Sequence, residues 1–200
     1  MNSKLIPKLI DALKTAPTLP NTTNPYYDTD RVHNLEVYLT RLCSGSFSGH
    51  LLVGEAPGQK GCARTGIPFT SERVFSCSSH PFITALRPLL KYPAGATCTE
   101  STATIVWGYL KDPVVPAFWN TFPFHPNKNR VPTVQEIANG KQYLNLVMDI
   151  LCPNAVIAVG KIAEGSLKAL FSATSVPSVR HPSNGGKGQF IAGMKAFGIR

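Results

Sequence analysis

The chain has 200 residues, of which 43% are hydrophobic and 16% are charged, a balance typical of a globular domain with a substantial core. No apolar run approaches the roughly 20 residues that cross a bilayer, and residues 1–4 lack the apolar segment of a signal peptide. We therefore expect a single domain over residues 1–200, a monomer in the cytoplasm that has no membrane partner.

The formal net charge is +9, from 20 lysines and arginines against 11 aspartates and glutamates. This excess favours a polyanionic partner, because neutralisation of phosphates by lysine and arginine contributes much of the affinity for nucleic acids. A basic enzyme without such a partner would have the same net charge, so composition leaves both possibilities open.

Five cysteines are spread along the chain, at Cys43, Cys62, Cys77, Cys98 and Cys152. Their number is odd and no two are closely spaced, so the sequence indicates neither a zinc ribbon nor a disulfide framework. We expect most of these thiols to be reduced and partly buried.

Residues 1–45 contain two predicted helices. Apolar residues at helical spacing indicate an amphipathic helix over residues 3–15, which ends before Pro17. Asp30 is placed to cap a second helix over residues 31–43. We expect these two N-terminal helices to pack on the rest of the domain.

Strands and helices alternate through the remainder of the chain, apart from residues 71–79, which give no clear pattern. In chain order the pattern predicts a strand at 51–53 and a helix at 82–90 that is interrupted near Pro88. Residues 104–109 and 117–122 are predicted as short apolar strands, or as a buried strand and its approach. A capping-box helix from Thr133 to about Leu151, a strand at 155–160 and a helix at 161–171 follow. This alternation predicts an α/β sandwich with a mainly parallel sheet.

The most informative stretch runs from Leu51 to Phe69. A short apolar strand leads into GEAPG at residues 54–58, where glycines allow close approach and proline fixes the backbone around one carboxylate. Ligands of α/β proteins bind beyond the carboxyl ends of parallel strands, so this loop is a candidate binding site. An ordinary turn with an exposed glutamate would have the same spacing.

A second loop far along the chain has a similar composition. It covers residues 179–188, follows the apolar segment 175–179, and carries His181 among glycines, hydroxyl groups and basic residues. Between the two loops, Asn120 lies near the end of another apolar run.

These motifs, in this order, resemble the uracil-DNA glycosylase superfamily over residues 50–195. GEAPG is similar to the first motif of the thermophilic family 4 enzymes, whereas residues 61–69 are closer to the single-strand-selective monofunctional enzymes. His181-Pro182-Ser183 is similar to the second motif of the superfamily. The resemblance implies a three-layer α/β/α sandwich with a central, mainly parallel four-stranded sheet.

The resemblance also implies roles for three residues in a pocket that would hold a base flipped out of DNA. Phe69 is the ring on which the base stacks, and Asn120 reads the base, because an amide offers an acceptor and a donor side by side. His181 faces uracil O2, where negative charge grows as the N-glycosidic bond breaks. Core packing of the phenylalanine and turn capping by the asparagine are the structural alternatives.

Within the first loop, Gly54, Ala56, Pro57 and Gly58 are the implied base-binding residues, and Glu55 is the implied catalytic carboxylate. Relatives place a water-orienting aspartate or asparagine where this chain has Ala56, so Glu55 is left to orient water, stabilise the sugar cation or brace the loop. Some relatives have a tyrosine, which excludes the thymine methyl, in place of Gly58. The glycine therefore predicts tolerance of 5-substituted uracils or related deaminated bases.

Basic and polar residues of both loops are the implied DNA contacts. Lys60 and Arg64 follow the first motif, and Ser183, Asn184 and Lys187 belong to the second loop. Such residues suit phosphate contacts, which position a protein on DNA without reading its sequence. A flexible surface loop would fit the second group equally well.

The resemblance implies a monofunctional DNA glycosylase that hydrolyses uracil from DNA in base excision repair and needs no metal or organic cofactor. Family 4 enzymes carry a four-cysteine iron–sulfur cluster, but this chain lacks their closely spaced N-terminal cysteine pair, so we predict no cluster. Two alternatives stay open. One is a damaged-base or nucleic-acid binding protein with weak or no hydrolysis, which Ala56 favours, and the other is a basic enzyme acting on free nucleotides. His125 is either a phosphate contact or a structural group.

Overall fold

The structure, a computed structural model, describes residues 1–95 and 97–200. Its strands are β1 (Thr22–Thr23), β2 (Phe47–Gly54), β3 (Val115–Asn120), β4 (His125–Pro126), β5 (Ala155–Val159) and β6 (Ser178–Val179). Four of them form one parallel sheet in the order β3-β2-β5-β6, and β1 and β4 pair as a short antiparallel ladder. The predicted α/β class with a four-stranded parallel sheet is confirmed.

Strand register brings the carboxyl ends of the parallel strands to one edge of the sheet. Gly54 at the end of β2 lies beside Asn120 at the end of β3, and Val159 at the end of β5 lies beside Val179 at the end of β6. All of β3 and the last four residues of β2 are buried, as expected for a parallel sheet covered on both faces. The loops that follow these strands therefore emerge side by side.

The helices are α1 (Ile6–Lys14), α2 (Thr29–Arg41), α3 (Cys62–Thr65), α4 (Glu72–Cys77), α5 (Pro81–Leu86), α6 (Ser101–Tyr109), α7 (Val134–Leu151), α8 (Lys161–Phe171) and α9 (Lys187–Ala196). They flank the sheet: α7 packs against β3, α8 against β5 and α9 against β6. The predicted capping box begins α7, where Thr133 and Glu136 exchange side-chain to backbone hydrogen bonds. Within residues 1–95 and 97–200, no helix is both long and apolar enough to cross a bilayer.

The first helix packs on the domain through one apolar face and contacts both α2 and α7. Four of its side chains are buried at the spacing of one helix face: Ile6, Leu9, Ile10 and Leu13. The second helix begins two residues earlier than predicted. Asp28 caps it by accepting two backbone N–H bonds, and the predicted cap, Asp30, lies in the first turn instead.

The sequence pattern was wrong at residues 104–109, where it predicted a strand and the structure has helix α6. Glu100 caps this helix, because its carboxylate accepts hydrogen bonds from two backbone N–H groups of the first turn. Burial of one face, including Trp107, outweighs the preference of β-branched residues for strands. Helix α4 lies within residues 71–79, which had no clear pattern.

Helix α7 closely approaches the loop after β3 at Gly140. A Cβ on Gly140 would collide with the backbone carbonyl of Thr121, the residue after Asn120. We expect Gly140→Ala to lower the free energy of unfolding by about 1–3 kcal/mol, as overpacking of a close contact does. Urea denaturation measures this change.

Gly165→Ala is the matched control for this substitution. Gly165 lies at an exposed position of α8, and an added Cβ would have nothing within 4 Å. Alanine is therefore expected to raise the free energy of unfolding by up to about 1 kcal/mol, through its better helix propensity. Equal effects of the two substitutions would contradict the close approach at Gly140.

Candidate active site

The loops at the carboxyl edge of the sheet enclose a pocket of about 230 Å³. This volume is smaller than the roughly 300–1,000 Å³ of pockets that hold drug-sized ligands, so it suits one small ring system. The pocket is lined by Gly54, Glu55, Ala56, Pro57, Gly58, Cys62, Phe69, Glu100, Thr102, Asn120, Pro126, Asn129, Arg130 and His181. All eight residues predicted to be catalytic or base-binding are therefore brought together.

Gly54 allows two of these side chains to meet. A Cβ added to Gly54 would lie 2.8 Å from Oδ1 of Asn120 and 2.7 Å from Cζ of Phe69. Both distances are below the 3.0 Å that Cβ atoms essentially never cross, so any larger residue would displace the amide or the ring. The parallel register of β2 and β3 places Asn120 directly beside this glycine.

The carboxamide of Asn120 belongs to a nearly buried residue that lines the pocket. The residue is 4% exposed and lines the pocket, and within residues 1–95 and 97–200 its side chain makes no hydrogen bond. Its amide atoms open onto the pocket, because among the described residues the fully buried side-chain atoms without a hydrogen bond are Nε2 of His80 and Nε1 of Trp119. This amide is therefore available to a ligand in the pocket.

Phe69 is held in a strained backbone conformation. Its φ of 57° lies in the left-handed region, which bulky residues rarely adopt and which is concentrated at functional sites. Nε1 of Trp107 donates to the Phe69 carbonyl at 2.9 Å, and the Phe69 ring packs on Phe118 with 5.2 Å between ring centroids. These contacts fix the ring where it lines the pocket.

His181 lies over Gly160, the residue that follows β5. Gly160 has a φ of 90°, and a Cβ there would be 3.0 Å from Cβ of His181. The Ser183 N–H donates to Nδ1 of His181 at 3.3 Å, and Oγ of Ser183 is 2.7 Å from the same nitrogen. A backbone N–H can only donate, so Nδ1 is an acceptor and the neutral imidazole carries its proton on Nε2. Burial, assisted by the charge of Arg180, lowers the pKa of His181 and favours this neutral form.

Glu55 combines a fixed backbone with a free carboxylate. Oγ1 of Thr121 and the N–H of Phe122 donate to the Glu55 carbonyl at 2.9 and 3.1 Å. The carboxylate is half-buried and has no hydrogen bond or ion pair with the part of the chain that the structure describes. Burial raises the pKa of this carboxyl above its ordinary value. The carboxylate is therefore free to contact a ligand or a water molecule.

Two further hydrogen bonds stiffen the first loop. Nδ1 of His125 donates to the carbonyl of Pro57 at 2.8 Å, and the N–H of Gln59 donates to Oδ1 of Asn129 at 3.0 Å. Of the two roles considered for His125, this geometry supports the structural one, because the Pro57 carbonyl takes its Nδ1 proton.

Sequence reasoning missed part of the pocket wall. The missed residues are Cys62, Glu100, Thr102, Pro126, Asn129 and Arg130. Acidic residues are enriched at the starts of helices, and this signal could have drawn attention to Glu100 before α6. The other five reach the pocket through tertiary packing, and no local pattern marks them.

The residues predicted to contact DNA lie outside the pocket lining. Lys60, Asn184 and Lys187 are exposed, whereas the Ser183 hydroxyl is engaged by His181. Arg64 pairs with a buried carboxylate, that of Glu72, at 2.7 Å. The DNA contacts of these residues remain predictions, and for Arg64 and Ser183 they would share a group already in use.

The described residues, 1–95 and 97–200, contain no cluster of three or more histidine, cysteine or acidic side chains placed to hold a metal ion. Their cysteines are free thiols, and burial raises the pKa of Cys62, beside the pocket, to about 12. The prediction of an enzyme without cofactor is left untested by these observations.

The fold and the pocket together define a parallel α/β protein with a small pocket beyond its strand ends. The sequence profile of the uracil DNA glycosylase superfamily matches residues 45–191. Among curated protein sequences, none matches the chain. The crystal structure of wild-type Pedobacter heparinus SMUG2 is similar in fold, with a TM-score of 0.66, 13% sequence identity, and coverage of 97% of this chain and 98% of that chain.

Because the profile matches most of the chain, the protein belongs to the uracil DNA glycosylase superfamily. Membership confirms the resemblance seen in the motifs. It also supports a DNA glycosylase as the general class of activity and DNA as the general class of substrate.

The protonation of His181 is directly measurable. We expect NMR of nitrogen-labelled protein to show the Nε2–H tautomer and a pKa below the ordinary value of 6.5, because burial disfavours the imidazolium. The folded protein should therefore take up this proton at a lower pH than the urea-unfolded chain. His181→Gln assigns the resonance, and a folded-state pKa at or above the unfolded one would contradict the tautomer and burial argument.

Proposed function

We propose that the protein hydrolyses the N-glycosidic bond of uracil in DNA, as a monofunctional glycosylase of base excision repair. The observation that carries this proposal is the Asn120 carboxamide, which is nearly buried, has no partner among the described residues, and lies beside the Phe69 ring. A base can enter a pocket of this kind only after it has left the helical stack.

Asn120 would select uracil by its hydrogen-bonding pattern. The carboxamide matches N3–H and O4 of uracil and mismatches cytosine, whose donor and acceptor are exchanged. A site built on such pairing can reject the wrong partner by about 10⁴–10⁵. Phe69, braced by Trp107 and Phe118, provides the face on which the base stacks.

His181 would act on the departing base. Its Nδ1 is occupied by Ser183, so Nε2–H is the group available to uracil O2. Negative charge grows on that oxygen as the glycosidic bond breaks, and a hydrogen bond that strengthens with this charge lowers the barrier. A neutral imidazole performs this role as a donor, without transferring its proton.

Glu55 would act on the water or on the sugar. Two carboxylates line the pocket, but that of Glu100 accepts hydrogen bonds from the first turn of α6. Ala56 has no polar group, so the free carboxylate of Glu55 is the one placed to orient water or to stabilise the cationic sugar. General-base assistance of this kind contributes typically about 10²–10⁴ in rate.

Hydrolysis by water also agrees with the residues of the pocket. A glycosylase that is also a lyase needs an amine nucleophile. Among the described residues that line the pocket there is no lysine, and the cation present is Arg130, which is paired with Glu136 at 2.6 Å. The pocket therefore supports the monofunctional reaction.

The base specificity extends in our proposal to uracils with a substituent at the 5-position, or to related deaminated bases. A Cβ added to Gly58 would meet only the Glu100 side chain, at 3.9 Å, so this wall of the pocket has room. Each Glu100 carboxylate oxygen accepts one backbone N–H and keeps a further lone pair, which suits a substituent that carries a hydroxyl group.

One observation favours a second candidate, a damaged-base binding protein with weak or no hydrolysis. Ala56 leaves the pocket without a polar side chain at the position where relatives orient water. The two candidates differ in whether an abasic product forms. Binding of uracil-containing DNA without product would support the binding protein.

A single-turnover assay on uracil in single-stranded and double-stranded DNA tests the proposed function. We expect abasic product from the wild-type protein, and a decrease in rate of about 10²–10³ for His181→Ala, as for loss of one oxyanion donor. Asn120→Ala should also lose discrimination against cytosine. Asn145→Ala, on α7 and outside the pocket lining, is the control and should retain the wild-type rate.

Competition between uracil and 5-hydroxymethyluracil tests the role of Gly58. We expect the wild-type protein to excise both bases. In Gly58→Val the excision rate of the substituted base should fall at least tenfold more than that of uracil, because the branched side chain fills the space before Glu100. Complete exclusion of 5-hydroxymethyluracil by the wild-type protein would overturn the specificity argument while leaving uracil excision intact.

A further inference from the structure

A second and larger cavity is an open groove of about 730 Å³ between α6 and α9. It is lined by Thr104, Ile105, Gly108, Tyr109, Lys111, Lys187, Ile191, Lys195, Gly198 and Arg200. No residue of the candidate active-site pocket belongs to this lining, so the groove is a separate feature of the surface.

The groove combines an apolar floor with cationic edges. Ile105, Tyr109 and Ile191 are half-buried in it, whereas the lysines that line it are exposed. Its lining contains no acidic residue, and within residues 1–95 and 97–200 none of its cations takes part in an ion pair. A ligand that fits must therefore offer both negative charge and apolar faces.

Both helices lead from the candidate active site to the groove. Thr102, in the first turn of α6, lines the active-site pocket, and Tyr109, at the end of the same helix, lines the groove. At a rise of 1.5 Å per residue these positions are about 10 Å apart along the axis, roughly the length of three stacked nucleotides. On the other wall, α9 begins at Lys187, six residues after His181.

We propose that this groove binds the nucleotides that flank the target base on one side, in single-stranded form. The inference rests on the proposed function, because it takes the strand from the flipped nucleotide into the groove. A duplex presents phosphates and hides its base faces, so the apolar floor would be unused. A single strand offers phosphates to the lysines and base faces to the floor, as in other single-strand binding grooves.

Tyr109 is the residue placed to stack with a base. Its hydroxyl donates to the backbone carbonyl of Ile199 at 2.7 Å, which fixes the ring where it lines the groove. Tyr109→Phe should retain binding of a single strand, whereas Tyr109→Ala should weaken it about tenfold, within the range found for loss of one base–aromatic stack.

The test measures binding of a single-stranded oligonucleotide without uracil by fluorescence anisotropy, so that it does not depend on excision. The variant Lys111→Glu/Lys195→Glu reverses two groove charges, and Lys8→Glu/Lys14→Glu makes the same change of net charge on α1. We expect at least tenfold weaker binding for the groove variant and less than twofold for the control. The slope of log affinity against log salt should decrease by about 1.4 for the groove variant, or 0.7 per lost phosphate contact. Circular dichroism verifies that both variants fold.

A series of oligonucleotides shows on which side of the target base the flanking nucleotides bind in the groove. Each carries one uracil, with flanks of one to six nucleotides on either its 5′ or its 3′ side, and Glu55→Gln limits turnover during the measurement. We expect the affinity of Glu55→Gln to rise with flank length on one side only, and this rise to disappear when the groove substitutions are added. Three outcomes would overturn the proposal. The first is equal affinity of the groove and control variants, and the second is an affinity that rises with flank length on both sides alike. The third is displacement of the bound oligonucleotide by an acidic peptide but not by an unlabelled single strand. Failure of uracil excision, with groove-dependent binding retained, would instead overturn the proposed function.

Discussion

The contact on which the site depends is the one between Gly54, Asn120 and Phe69. Parallel pairing of β2 with β3 puts the amide beside the glycine, and the missing Cβ leaves room for the edge of the ring. Phe69 is fixed by the hydrogen bond from Trp107 to its carbonyl and by ring packing on Phe118. Asn120 is fixed by its position at the end of β3. Because these supports belong to the buried core, the wall of the pocket is continuous with the core.

The pocket also concentrates groups that make no hydrogen bond to the part of the chain that the structure describes. Asn120, Glu55 and His181 line one small pocket, whereas the backbone carbonyls of Glu55 and Pro57 and Nδ1 of His181 are engaged in hydrogen bonds. Burial raises the pKa of Glu55 and lowers that of His181, so both shifts favour the neutral forms. Free polar groups on a stiff frame are what a preorganised site requires.

Local sequence signals located much of this architecture, and they failed where packing competes with propensity. The capping box of α7, the apolar strand β5 and the loop glycines were recognisable because each depends on neighbouring residues. The strand predicted at 104–109 is a helix, since burial against the core and the Glu100 cap outweigh its β-branched residues. The same error concealed Glu100 as a wall of the pocket and α6 as a side of the groove.

Residue identity and spacing along the chain were sufficient to indicate the superfamily, the two loops and the side chains capable of the chemistry. Convergence was not readable from them, because Gly54, Asn120 and His181 are joined by strand pairing across long sequence separations. The sequence also did not show which charged side chains form ion pairs. Arg64 and Arg130 have carboxylate partners, while Glu55 has no partner among the described residues. Whether two charged side chains pair depends on their distance in space, and the pattern of neighbouring residues in the chain does not contain that distance.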